Sequence, residues 1–258
     1  MDLQLKGKTA IVTGGSAGIG LAITKALAAE GVTVTVPGRS KEKLDKALAG
    51  INNVKALVAD PGTAEGAAAL IQQVPDTDIL VNNLGIYEPR PFAEITDADW
   101  LKIFEVNVLS GVRLSRHYFP LMLQRDWGRI IFISSESGVM TPPEMIHYGV
   151  TKSSQLAISR GLAELTKGTA VTVNTILPGP TRSEGIVDFL KNVSSAPNPT
   201  PEQAEKEFFE KHRSSSLLQR LIESEEIASL VAFIASPLSA AINGASLRAE
   251  GGLLRSIA

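Results

Sequence analysis

A doubly wound α/β architecture, one parallel β-sheet flanked by helices on both faces, is what this sequence predicts, and three observations predict it. Short β-rich apolar runs alternate with longer helical patterns along the chain. The runs are continuously apolar, as strands buried on both faces must be. The first run passes directly into a glycine-rich turn and then into a helix. The size agrees: 258 residues, 44% hydrophobic and 20% charged, are enough to bury a sizeable core.

Taken in order, Thr9 to Thr13 is a buried strand, and Ile19 to Glu30 is a helix that ends at Gly31. Val32 to Val36 is the second strand, followed by a charged helix from Ser40 to Leu48. Val54 to Val58, Ile79 to Val81, Ile130 to Ser134 and Val171 to Ile176 continue the strand series, with helical patterns over Asp97 to Gln124 and Met145 to Thr166. After Pro180 the texture changes. Prolines cluster at Pro197, Pro199 and Pro201, and Ser214-Ser215-Ser216 follows a charged amphipathic piece. Residues 183–224 therefore read as an insertion over the sheet's edge, a lid for a substrate site, within a single domain spanning 1–258. Glu225 to Ala235 returns to helix, and Ala245 to Ala249 is a last strand.

Composition narrows the function. A net charge of −2 without long runs of Lys or Arg speaks against a nucleic-acid surface. The absence of cysteine rules out disulfides and thiolate metal sites. No apolar run approaches the length of a membrane span, and the first residues lack the apolar stretch of a signal peptide, so a cytoplasmic location away from membranes is expected. His and carboxylate spacings suggest no catalytic metal.

The turn after the first strand is Thr13-Gly14-Gly15-Ser16-Ala17-Gly18-Ile19-Gly20. Glycines there allow a tight turn and close backbone approach to a pyrophosphate, and the helix N-terminus offers N–H donors and a favourable dipole. The turn therefore suits a dinucleotide's pyrophosphate, with Gly14, Gly18, Ile19 and Gly20 placed at it, although its spacing is G-x-x-x-G-x-G and not the commoner G-x-G-x-x-G. The same segment contains a literal G-x-S-x-G, the nucleophile elbow of α/β-hydrolases with Ser16 as nucleophile. Only one strand precedes it, and Gly20 has no place in an elbow. Where an acidic residue at the end of the second strand would bind a ribose 2′-hydroxyl, the chain has Pro37-Gly38-Arg39-Ser40. Arg39 can pair with a 2′-phosphate and Ser16 and Ser40 can add hydrogen bonds, which favours NADP, with NAD as the alternative.

Further along, Tyr148-Gly149-Val150-Thr151-Lys152 puts a phenol and an ammonium one helical turn apart on the same face. An ammonium at that distance lowers a phenol's pKa and makes it a usable acid/base. His147 points about 100° away on the helix and is a packing residue.

These motifs together resemble the short-chain dehydrogenase/reductase family along nearly the whole chain. The resemblance implies that Asp60 contacts the adenine. Asn82-Asn83-Leu84-Gly85 is similar to the family's Asn-Asn-Ala-Gly segment beside the cofactor, with Leu84 in place of alanine, which brings in Asn83 and Gly85. Asn107 falls where the family carries its catalytic asparagine, and Ser135 stands thirteen residues before Tyr148, the family interval. Pro178, Gly179, Thr181 and Ser183 resemble the segment that touches the nicotinamide. Ala17 lacks the basic residue that many NADP-dependent members carry.

The chemistry so implied is hydride transfer between NADP(H) and a small-molecule carbonyl or secondary alcohol. Tyr148 is the acid/base, Lys152 its electrostatic partner and ribose ligand, Ser135 the stabiliser of the substrate oxygen, and Asn107 the holder of a relay water. The substrate lining falls to Tyr87–Arg90, Glu136–Met145 and the insertion. The resemblance also implies a homo-oligomer, a tetramer or dimer. A non-catalytic dinucleotide-binding regulator on the same fold is the rival reading, and a Ser16 hydrolase a further one.

Overall fold

Alternation of side chains across each strand builds two cores on opposite faces of one sheet. The computed structural model describes residues 1–257; Ala258 lies outside the described residues. The elements run β1 (Thr9–Val12), α1 (Gly18–Ala29), β2 (Thr33–Gly38), α2 (Lys41–Leu48), β3 (Val54–Val58), α3 (Ala64–Gln73), β4 (Ile79–Asn82), α4 (Asp97–Phe104), α5 (Ser110–Gln124) and β5 (Gly128–Ile133). They continue with α6 (Ile146–Glu164), β6 (Val171–Pro178), α7 (Glu184–Val193), α8 (Pro201–Lys211), α9 (Ser224–Ala235) and β7 (Ser246–Ala249). The sheet order is β3-β2-β1-β4-β5-β6-β7, every pair parallel. The Rossmann-like, doubly wound expectation is met.

On one face Ala10, Val12, Ile79, Val81, Ile131 and Ile133 pack against Ile23 and Leu27 of α1 and Ile227 and Val231 of α9. On the other, Ile11, Leu80, Ile130, Phe132 and Val173 meet Leu70 of α3 and Leu114 and Tyr118 of α5. Burying each such side chain is worth about 1.5–3 kcal/mol, so a strand with no polar face is the stable solution here.

Local chemistry sets where helices begin. Ser40 caps α2 by accepting from Lys43 N at 3.3 Å, and Thr63 caps α3 through Gly66 N at 3.0 Å. Thr96–Asp99 and Thr200–Gln203 form capping boxes on α4 and α8. The helical pattern from Asp97 to Gln124 is not one continuous α-helix. A π-helical turn, Glu105–Leu109, separates α4 from α5.

The insertion after β6 folds into α7 and α8 around a small cluster of Leu190, Ala204, Phe208, Phe209 and Leu221. Its two ends meet in a parallel bridge between Thr181 and Ile222, with Arg182 N donating to Ile222 O at 2.8 Å and Ile222 N to Pro180 O at 2.9 Å. Among the described residues no helix is long and apolar enough to cross a membrane.

Glycine-to-alanine changes inside helices usually stabilise by about 1 kcal/mol. Gly66 in α3 reverses that rule, because an added Cβ would stand 1.9 Å from Asp60 O, a backbone atom that cannot swing away. Gly66→Ala is expected to destabilise the fold by about 1–3 kcal/mol, read as a lower urea midpoint.

Candidate active site

The strand order reverses between β1 and β4, and the loops leaving those two strands diverge there, which is where open α/β sheets form their ligand crevice. Thr13 stitches the two loop origins together. Its Oγ1 accepts from Asn83 N and Leu84 N, each at 3.0 Å, and donates to Val81 O at 3.2 Å. Asn83 Nδ2 in turn donates to Thr13 O at 2.9 Å. Above this stitch lies a cleft of about 510 Å³, within the range of small-ligand sites.

Thirteen of the residues selected by the sequence line that cleft: Gly14, Gly18, Ile19, Gly20, Asn83, Gly85, Ser135, Tyr148, Lys152, Pro178, Gly179, Thr181 and Ser183. Gly14 and Gly18 sit at φ of +65° and +48°, which only glycine adopts without strain. Gly20 lets α1 press onto the loop, since a Cβ there would fall 2.2 Å from Gly14 O. The amino end of α1 has no side-chain cap and no acid in its first turn, so its N–H donors and positive dipole end remain for an anion.

Ser16, Arg39, Ser40 and Asp60 are not part of the cleft lining. Arg39 is exposed just beyond β2 and makes no ion pair among the described residues. The Ser40 oxygen is engaged in capping α2, and Asp60 Oδ1 accepts from Gly62 N at 3.0 Å, shaping the turn into α3. No histidine reaches Ser16. His117 bonds Pro75 O, His147 packs edge-on to Trp100, and His212 stacks on Phe208, so an elbow triad is not assembled.

Tyr148 and Lys152 share a face of α6 as expected, with Lys152 Nζ 5.6 Å from the Tyr148 ring centre. Lys152 by itself does not lower the phenol's pKa. Burial drives it well above its ordinary value, and the Glu136 carboxylate adds to the rise against a smaller pull from the Ser135 hydroxyl. Lys152 is itself weakened, to about 8, by the same burial. Its ammonium donates to Ile133 O at 2.9 Å and Gln155 Oε1 at 3.3 Å, which holds it beside the phenol rather than on it.

Asn107 sits on the π turn and is 1% exposed. Its side-chain amide pairs with Ile86 like a strand neighbour, accepting from Ile86 N at 2.7 Å and donating to Ile86 O at 2.9 Å. Its main-chain oxygen accepts from Gln155 Nε2 at 2.6 Å. The side-chain amide of Gln155 thus bridges the Asn107 main chain and the Lys152 ammonium. Gln155 was not singled out from sequence. Its position one turn after Lys152 on a buried face was the available signal.

Ser135 Oγ donates to Glu136 Oε2 at 2.5 Å and accepts from Ser137 N at 3.1 Å. Glu136 is buried, and desolvation raises its pKa against the opposing effects of Ser135, Arg213 and Ser137. Tyr87 meets the Tyr148 ring edge-on at 6.1 Å. From the insertion come Ile186, Phe189, Phe208 and Arg213. Glu136 and Arg213 lay inside the ranges expected to line the substrate, but nothing local distinguished them there.

Comparison with known proteins agrees with this geometry. Residues 8–192 match the family profile described as short chain dehydrogenase. The chain is 49% identical to the uncharacterized oxidoreductase YvaG of Bacillus subtilis, covering 100% of both chains. It is 32% identical to the 3-oxoacyl-[acyl-carrier-protein] reductase FabG of Vibrio cholerae, covering 97% of this chain and 99% of that one. Among solved structures, L-sorbose reductase from Gluconobacter frateurii, complexed with NADPH and L-sorbose, superposes with a TM-score of 0.93 at 28% identity, covering 100% of both chains.

Gly20→Ala forces the α1 start away from Gly14. We expect it to raise the dissociation constant for a reduced nicotinamide dinucleotide at least about tenfold, read by the change in nucleotide fluorescence, because the N–H groups at the start of α1 lose their geometry.

Proposed function

Since this chain belongs to the short-chain dehydrogenase family and is an oxidoreductase, we propose that it moves a hydride between NADP(H) and a carbonyl or secondary alcohol. The observation that carries the reading is the convergence of Ser135, Tyr148 and Lys152 on the cleft that the glycine loop also lines. The residues present fit a dinucleotide. The uncapped amino end of α1 suits the pyrophosphate, positive-φ glycines bring backbone close to it, and Pro178 to Thr181 face the loop across the cleft. When bound, the nicotinamide supplies or accepts the hydride.

The chain's own groups manage the proton. Tyr148 gives a proton to the substrate oxygen during reduction and takes one during oxidation. Its buried phenol lies above its ordinary value, so it is protonated near neutrality. Ser135 turns its hydroxyl from Glu136 toward the substrate oxygen and steadies the charge that develops there. Lys152 holds the nicotinamide ribose, with Gln155 and Ile133 O fixing its position. Asn107 ties Ile86 to α6 through Thr151, at 3.0 Å, and through Gln155.

Selection of NADP over NAD falls to Arg39, standing where an acid would bind a free ribose hydroxyl, with Ser16, Ser40 and Asp60 around the adenosine end. The NADPH complex of L-sorbose reductase supports that choice. We read residues 1–258 as one dinucleotide-binding domain with 183–224 as its lid. A regulator without catalysis has no need of Ser135, Tyr148 and Lys152 on one cleft wall.

Two measurements test the reading. Tyr148→Phe is expected to lower kcat for NADPH-dependent ketone reduction at least about 100-fold while NADPH still binds, and full activity in that variant would sink the assignment. Arg39→Ala should raise KM for NADPH at least about tenfold and leave KM for NADH little changed, since only the phosphate-bearing cofactor loses a charged hydrogen bond.

A further inference from the structure

Inside the cleft lies a buried ion pair, Glu136 and Arg213, whose facing atoms the proton chemistry leaves unused. Glu136 follows Ser135 and is 5% exposed, while Arg213 comes from the insertion just beyond α8 and is 9% exposed. Both line the cleft. Their facing atoms, Arg213 Nε and Glu136 Oε1, are 3.8 Å apart, too far for a hydrogen bond. Arg213 Nε finds no acceptor among the described residues.

The rest of the guanidinium is held in place. Nη1 donates to His212 O at 2.9 Å, Nη2 stands 3.5 Å from Glu144 Oε1, and the group lies 5.4 Å from the Phe208 ring centre. The Glu136 carboxylate is equally fixed, Oε2 on the Ser135 hydroxyl and Oε1 accepting from Ser137 Oγ at 3.3 Å. A buried donor without a partner thus faces a buried acceptor across a short gap, and the walls nearby are apolar: Met145, Ile186, Phe189 and Phe208.

Among common ligand groups, a hydroxyl suits both sides of that gap. It donates to a carboxylate and offers lone pairs to a guanidinium N–H. A ligand carboxylate would pair with Arg213 but meet Glu136 and Glu144, and an ammonium would pair with the glutamates and leave Arg213 Nε open. A methyl group would satisfy neither. Glu136 also touches Ser135, the residue assigned to the reacting oxygen, so the hydroxyl must lie near the carbonyl.

We propose that Glu136 and Arg213 form a hydroxyl-recognising subsite and that the substrate is an uncharged hydroxylated ketone or aldehyde, or the corresponding polyol. The assignment rests on the oxidoreductase reading above. It makes Glu136 and Arg213 specificity determinants, delivered to one point by the loop after β5 and by the insertion.

The test is a matched series of acetone, hydroxyacetone, dihydroxyacetone and pyruvate, assayed with NADPH and NADH on the full chain. Wild-type kcat/KM should favour hydroxyacetone over acetone at least about 100-fold, with pyruvate below hydroxyacetone. In Glu136→Gln and in Arg213→Met the hydroxyacetone-to-acetone ratio should fall at least about tenfold. Because the ratio is taken within each variant, a general loss of rate or of folded protein cancels, and the wild-type ratio stands even where a variant fails to fold. A wild-type ratio near one, a preference for pyruvate, or a ratio unchanged in both variants overturns the subsite while leaving carbonyl reduction intact. Turnover of none of the four overturns the subsite, and if 2-propanol and glycerol with NADP⁺ are also not turned over by protein that binds NADPH, the hydride-transfer reading falls with it.

Discussion

The Thr13–Asn83 stitch at the boundary of β1 and β4 is the constraint on which the upper surface of the molecule depends. Thr13 Oγ1 takes both Asn83 N and Leu84 N, and Asn83 Nδ2 returns a bond to Thr13 O, so two loops with opposite destinations leave from one locked point. One becomes the glycine turn that feeds α1. The other runs past Gly85 to Ile86, where the side chain of Asn107 receives it. Because both loops are pinned at their origins, the floor of the cleft between them follows from the sheet order, and the insertion adds a wall through Ile186, Phe189, Phe208 and Arg213.

Burial, which supplies the stability of such a sheet, also sets the electrostatics of the site. The end of β5 carries Ile133 O to Lys152, and the ammonium bonded there is desolvated to about 8. The phenol beside it and the Glu136 carboxyl are both pushed up, for the same reason. In a low-dielectric pocket each charge acts strongly on its neighbours, so Glu136 raises Tyr148 and also favours the charged form of Lys152. The insertion contributes through its own small apolar cluster. That cluster carries Phe208 into the cleft wall and leads the chain directly to Arg213.

Much of this was legible before any coordinate. Central strands buried on both faces have no choice but to read as apolar runs, which is why β1, β4 and β5 could be located, whereas β3 at the sheet edge is largely exposed and was located from its β-rich run Val54–Val58 alone. The glycine turn was legible because positive φ at Gly14 and Gly18 favours glycine and the tight approach at Gly20 leaves no room for a Cβ. Tyr148 and Lys152 were legible because helical spacing alone puts them on one face. The π turn at Glu105–Leu109 was not, since its sequence is ordinary helix and the bulge is sustained by long-range bonds from Asn107 to Ile86 and Gln155. The direction of the Tyr148 shift was not legible either. Spacing says that a cation is near, but not that the pocket desolvates both groups and that Ile133 O and Gln155 claim the cation's donors.

By itself the sequence determined the periodicities, the turn chemistry and the helix caps, all of which act over a few residues and so are written locally: the parallel sheet, the glycine loop and the Tyr148–Lys152 pair. Only the tertiary structure decided what stands opposite what. It joined Ser135 to Glu136 at the end of β5, brought Arg213 across from a segment tens of residues away, and set Gln155 between Lys152 and Asn107. Those juxtapositions depend on the path of the chain over the sheet, and protonation and specificity follow from them because burial and distance, not residue type, govern the interaction of charges.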